Sequence, residues 1–288
     1  MKFGVLGWIT SDLTDVDDEM LARAAAVGIE GMGAHLTVPA AHIDAAEVER
    51  VSAVMAASSL EFEQLWGPYP RIIDENEEVR AAGVAGAADV ARLAAHLGFP
   101  ASGIRPTSHN PNGDWWPHPE NHSRASEDRL VRSIAEVLEV AEPLGVKIVL
   151  ETHQTSTLDS AERIARVIER TDPAWVKVNI DPANFVSSLA VAFDPAPMIN
   201  HLFDVLGPHA DAVHVKDVTL EERFVVHVAE CLPGTGIMDI DTILERVAAL
   251  EQPNCDMYAI AEHLSPPDLI IAVHHLMDRA TALGIWQR

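Results

Sequence analysis

Cysteine is nearly missing from this sequence: Cys231 and Cys255 are the only two in 288 residues. Neither sits in a C-x-x-C pair, so a disulfide framework and a thiolate-rich zinc site are both excluded, and the thiols read as buried or idle. Cationic side chains are scarce as well. Twenty Lys and Arg stand against 44 Asp and Glu, a formal net charge of −24. A surface of that sign repels nucleic-acid phosphates, so no nucleic-acid partner is expected, and a neutral or cationic small molecule is favoured over a polyanion. Also missing is any apolar run long enough to cross a bilayer, which removes a membrane partner from the expectations. The opening segment 1–15 has neither the apolar stretch nor the small-residue cleavage site of a signal peptide, so the cytoplasm is the expected location.

No low-complexity stretch or linker interrupts the chain, and 48% hydrophobic with 22% charged residues is globular composition. One domain over residues 1–288 is expected. Within it, strand-like apolar runs alternate with helical patterns. The strands are Lys2–Trp8, Gly28–Met32, Leu60–Leu65, Ser102–Pro106, Val146–Glu151, Val176–Asp181, Ala212–Val215 and Met257–Glu262. The helices are Glu19–Val27, Asp44–Ser58, Glu77–Leu97, Arg124–Leu144, Leu158–Arg170, Pro197–Leu206, Ile240–Leu250 and Pro267–Leu283. Strict alternation implies parallel strands with right-handed crossovers, and eight units predict an α/β fold of the closed (β/α)₈ type. The competing open sheet would want a dinucleotide fingerprint, but Phe3-Gly4-Val5-Leu6-Gly7 lacks the third glycine. Gly28, Gly98, Gly145 and Gly207 each follow a helical run, where left-handed caps are expected. Two connections exceed simple turns, Thr107–Ser123 after strand four and Lys216–Ile237 after strand seven. Both fall on the face where such barrels build active sites.

Four consecutive strands end in side chains that can bind a metal: Glu151, Asp181, His214 and Glu262. Three carboxylates and one imidazole, with no thiolate, suit one divalent ion of the harder kind, Mn²⁺ or Mg²⁺, with Co²⁺ or Zn²⁺ as alternatives. Unconnected polar caps on the barrel rim are the competing reading.

Leu150-Glu-Thr-His153, Val178-Asn-Ile-Asp-Pro-Ala-Asn-Phe185, Val213-His-Val-Lys-Asp217, Pro233-Gly-Thr-Gly236 and Ala261-Glu-His263 together resemble the xylose-isomerase-like barrel superfamily. The resemblance is to its sugar-phosphate isomerase/epimerase group, which includes ketose 3-epimerases and inosose dehydratases. It implies that Glu151 and Glu262 bind the metal and also move protons, that Asp181 and His214 complete the ligand set, and that His153 and Lys216 touch substrate oxygens. It also implies a small-molecule carbohydrate substrate and a homo-oligomer, a dimer or tetramer. Ketose epimerases of this group often carry His three residues beyond the strand-six Asp; here that position is Asn184, a substrate-facing candidate that departs from the pattern.

Proton removal beside a carbonyl needs a metal to stabilise the enediolate and two carboxylates to serve as base and acid. Isomerase, epimerase and lyase share that half-reaction, so a dehydratase acting on an inosose or 3-keto-sugar is the alternative to an isomerase or epimerase. A DNA-repair endonuclease conflicts with the charge, and an inactive sugar-binding protein would waste the ligand set. Further substrate-contact candidates each have a packing alternative. Arg105 ends strand four and either meets a substrate hydroxyl or carboxylate or pairs with a metal-ligand carboxylate, and Glu61 or Glu63 of strand three is a further candidate partner. Trp115, Trp116 and His118 of the fourth loop form either a lid or a packing contact, and Trp8 is either pocket wall or barrel-mouth filler. Gly234 and Gly236 read as a tight turn rather than a phosphate cradle.

Overall fold

The computed structural model describes residues 1–9, 13–250 and 257–287, so Cys255 lies outside the described residues. The strands are β1 (Lys2–Leu6), β2 (Gly31–His35), β3 (Glu61–Trp66), β4 (Ala101–Ile104), β5 (Lys147–Glu151), β6 (Val176–Ile180), β7 (Ala210–His214), β8 (Asp217–Glu221), β9 (His227–Cys231) and β10 (Tyr258–Ala261). β8 and β9 pair as a separate antiparallel hairpin, and the other eight close into a barrel in the order β1-β10-β7-β6-β5-β4-β3-β2. Between them run α1 (Asp18–Ala26), α2 (Ala45–Ala57), α3 (Glu77–Leu97), α4 (Arg124–Ala141), α5 (Ala161–Glu169), the short α6 (Leu189–Phe193), α7 (Ala196–Leu206), α8 (Ile240–Ala249) and α9 (Pro266–Ala282). This is the expected (β/α)₈ barrel. None of these helices is long and apolar enough to cross a membrane.

Helix faces and strand backs form the main core. Leu130, Ile134 and Val137 of α4 and Ile164, Val167 and Ile168 of α5 are each fully buried. Helix ends follow local chemistry: Ser123 caps α4 by accepting from Ser126 N, and Gly98 closes α3 at φ +83. Gly28 (φ +89) likewise ends α1, which is why β2 begins three residues later than the apolar pattern predicts. Gly207 departs from expectation. It stays helical (φ −50), because a 3₁₀ turn, Gly207–His209, carries α7 straight on toward β7. The long segment after β7 is largely the β8–β9 hairpin rather than loop.

The barrel interior is narrow and unusually polar. Its apolar part is a small cluster of Leu6, Trp66, Ala212 and Ile260 with Tyr258 against it. A Cβ at Gly103 would fall on the Trp66 ring, so β4 needs glycine to admit that indole. Glu63 sits in a slot left by Gly4 and Gly31, fully buried, with neither carboxyl oxygen hydrogen-bonded. Burial pushes its carboxyl well above the ordinary range. Glu61 pairs with Lys2 instead, so neither acid meets Arg105.

Two register slips shape this interior. β3 spends one extra residue against β2 between Met32 and Ala34, and β7 spends one against β6 between Val178 and Asn179. Such bulges re-aim side chains that simple alternation would send outward. Gln64 and Asp211 fall at the two slips and meet, Gln64 Nε2 donating to Asp211 Oδ2 at 3.0 Å.

Candidate active site

The four strand-end residues converge on one point. Glu151 and His214 are the last residues of β5 and β7, while Asp181 and Glu262 directly follow β6 and β10. One ligand atom from each lies within 4.8 Å of every other, and all four are buried. His214 Nδ1 is 2.8 Å from Glu262 Oε1, 3.8 Å from Glu151 Oε1 and 3.9 Å from Asp181 Oδ2. Lys216, expected at the substrate, is instead locked among these acids. Its Nζ stands 2.7 Å from Asp181 Oδ2 and 2.9 Å from Glu262 Oε1. Being buried there, the ammonium gains more from neutralising the two carboxylates than from facing the cavity.

Crowding three carboxylates out of water splits their acidities. Burial lifts Glu151 to about 7, with Glu262 and Asp181 adding repulsion that His214 only partly offsets. Burial also raises Asp181. On Glu262 burial acts in the same direction, but His214 and Lys216 outweigh it and hold the carboxyl well below its ordinary range. Burial alone would depress His214; Glu262 and Glu151 overcome it and lift the imidazole to about 9. A divalent cation fits this set. The donors are hard oxygens plus one imidazole, and Asp181 Oδ1 is buried without any hydrogen-bond partner. Glu151, Asp181, His214 and Glu262 would hold the ion.

The far side of His214 is also tied. Asn179 Nδ2 lies 2.9 Å from His214 Nε2, and Asn179 and Gln64 exchange two amide hydrogen bonds of 2.8 Å. The chain Asp211–Gln64–Asn179–His214 thus ties the imidazole from behind. Asn179→Leu is expected to weaken Mn²⁺ binding by about 10–100-fold. Calorimetric titration of the metal-free protein checks it, and an unchanged Kd would rule out a positioning role for the amides.

Above the cluster opens a cavity of about 540 Å³, within the size range of small-molecule sites. Glu151 and Glu262 form part of its lining, while Asp181 and His214 lie beneath. Trp115, Trp116, His153 and Asn184 line it, as the sequence suggests. The Trp115 and His153 rings meet at 5.7 Å, tilted by 44°, and Asn184 Nδ2 donates to Asp181 Oδ2 at 2.7 Å. Burial holds His153 down at about 4. Trp8, Arg105 and His118 are not among the lining residues. Trp8 borders a separate hollow beside α1 and α9. Arg105 pairs with Asp114 at 3.2 Å and covers the Tyr69 ring, and His118 caps the 3₁₀ turn Pro119–His122. Five lining residues carry no role in the sequence reading: Leu6, His35 and Trp66 at the ends of β1, β2 and β3, Glu230 of β9, and His263 after β10.

A family model described as xylose isomerase-like TIM barrel matches residues 21–284. No curated protein sequence matches the chain. Solved structures of similar fold include a xylose isomerase-like TIM barrel protein from Mycobacterium smegmatis in complex with magnesium, 15% identical with a TM-score of 0.73 over 98% of this chain and 97% of that one. D-psicose 3-epimerase from Clostridium cellulolyticum H10, solved with D-tagatose, is 15% identical with a TM-score of 0.70 over 98% and 99% of the two chains. The probable 3-DHS dehydratase from Bacillus anthracis is 16% identical with a TM-score of 0.70 over 96% and 98%.

Proposed function

Because the chain belongs to the xylose isomerase-like TIM barrel family, we propose that it is a divalent-metal-dependent isomerase or epimerase. It would remove a proton beside the carbonyl of a sugar or keto-sugar. The observation that carries this reading is the buried Glu151–Asp181–His214–Glu262 cluster at the floor of a cavity that two of its carboxylates reach. Bound there, Mn²⁺ or Mg²⁺ would polarise the carbonyl and neighbouring hydroxyl oxygens and stabilise the charge left by the departing proton.

The remaining work falls to the chain's own residues. Glu151 and Glu262 come from strands separated by β6 and β7, so a sugar lying between them meets one carboxylate on each face. One takes the proton and the other returns it, and the environments that push their acidities apart suit that division. Asp181 and His214 hold the metal and face no substrate. His153 and Asn184 hydrogen-bond sugar hydroxyls, and Trp115 and Trp116 cover the apolar face of the ring.

A lyase reading rests on Asn184. Where related ketose epimerases often carry His, this chain has an amide engaged with Asp181 and the Thr152 carbonyl. His153 would then be the group to hydrogen-bond the leaving hydroxyl through Nε2, its Nδ1 being occupied by Thr155. Proton NMR in D₂O against ketoses, inososes and 3-keto-sugars, with and without Mn²⁺, tests both readings. Metal-dependent deuterium incorporation into substrate or epimer supports isomerase or epimerase chemistry, and loss of water supports the lyase. No exchange with any of them would sink the shared half-reaction.

A further inference from the structure

We propose that this site takes an uncharged sugar and selects against phosphorylated or carboxylated ones. The inference rests on the proton-transfer reading above and adds the charge class of its substrate. Among the described residues, Arg105, Lys216 and the glycine-bearing turn after β9 are each already committed to a carboxylate of the chain itself. The Arg105 guanidinium meets Asp114 at 3.2 Å. Lys216 is held by Asp181 and Glu262 at 2.7 and 2.9 Å. The glycine-bearing turn has the backbone amides a phosphate would want, but Gly234 N and Gly236 N donate to Asp217 Oδ2 at 2.9 and 2.8 Å, and Met238 N donates to Oδ1 at 2.9 Å. An internal carboxylate fills that cradle.

The filled metal site offers no surplus charge either. Its three carboxylates balance a divalent ion together with the Lys216 ammonium. At the mouth the charges are likewise paired. Glu230, carried over the cavity on β9, stands 3.7 Å from Lys216 Nζ and 2.8 Å from His263 Nδ1. Among the described residues no free Lys or Arg is left there for an anionic group on the substrate, which would meet the Glu230 carboxylate instead. The remaining walls are Trp66, Trp115, Trp116 and His35, surfaces that accept the apolar faces and hydroxyls of a neutral ring.

The test uses the Mn²⁺-loaded full chain in D₂O with matched pairs, each free ketohexose or inosose beside its monophosphate. Free sugars are expected to exchange at least about 100-fold more efficiently than their phosphates, the scale of uncompensated like-charge contact. In Glu230→Gln that ratio is expected to narrow by about tenfold. A phosphate that exchanges as well as its free sugar overturns this inference and leaves the proton-transfer reading standing. A ratio unmoved by Glu230→Gln removes Glu230 from the selection. If no member of any pair exchanges, with Mn²⁺ or without, the proton-transfer reading itself fails.

Discussion

Glu151→Gln and Glu262→Gln are each expected to lower solvent-deuterium exchange into the substrate by at least about 10³-fold, the scale of losing a positioned acid or base. Their stabilities should move in opposite directions. Glu151 has no close cationic partner, since His214 Nδ1 is 3.8 Å away, and burial has already raised its carboxyl to about 7. A group whose folded value is raised costs the folded state stability once the pH passes that value. Above pH 7 the metal-free Glu151→Gln protein should therefore melt a few degrees higher than the parent. Glu262 is the shared partner of His214 at 2.8 Å and Lys216 at 2.9 Å, so Glu262→Gln strands both cations and should melt lower. Thermal melts in EDTA, read beside exchange rates in Mn²⁺, separate chemistry from folding. Normal exchange in both variants would remove the proton-transfer assignment, and parallel shifts in melting temperature would contradict the charge arrangement.

The Glu151–Asp181–His214–Glu262 cluster is legible in sequence for a simple reason. β5, β6, β7 and β10 are short apolar strands ending in one polar side chain, and on a parallel barrel strand ends on one face share a mouth. Legibility fails where the backbone departs from regular alternation. Gln64 follows Glu63, and period two would place them on opposite faces; only the slip in β3 lets Gln64 reach Asn179 while Glu63 stays in its buried slot. His35 ends a barrel strand just as Glu151 and His214 do. It goes unnoticed because Gly28 reads as the strand start when it is in fact the helix cap, which leaves His35 in apparent loop. Glu230 reaches the cavity through an antiparallel hairpin whose pairing nothing local announces. Arg105 and Lys216 fail differently. A cation at a strand end looks available in sequence, and the carboxylate that consumes it, Asp114 or Asp181, becomes visible only in three dimensions.

Lys216 also carries the second large expected effect. Lys216→Met keeps the length of the side chain and removes the ammonium, leaving Glu262 buried beside His214 at 2.8 Å and Asp181 buried with His214 Nδ1 no nearer than 3.9 Å. Breaking a buried pair by deleting one partner costs about 3–5 kcal/mol, which in a domain of this size lowers the melting temperature of the metal-free protein by about 10 °C. The loss should depend on pH in a definite sense. Without the ammonium, both carboxyls titrate higher in the folded state than they do beside it. Their penalty is then absent in acid, where both states are protonated, and grows as the pH rises through the raised folded values. The variant should thus approach parental stability at acid pH and diverge from it toward neutrality. Mn²⁺ should close the gap at neutral pH, because the ion supplies the positive charge the ammonium provided and binds only the folded state. Melting curves across pH in EDTA and in Mn²⁺ decide the matter. A deficit that persists in acid or resists Mn²⁺ would show Lys216 to be a packing element, whereas a deficit confined to metal-free, neutral conditions identifies it as the charge that keeps the carboxylate cluster folded until a metal arrives.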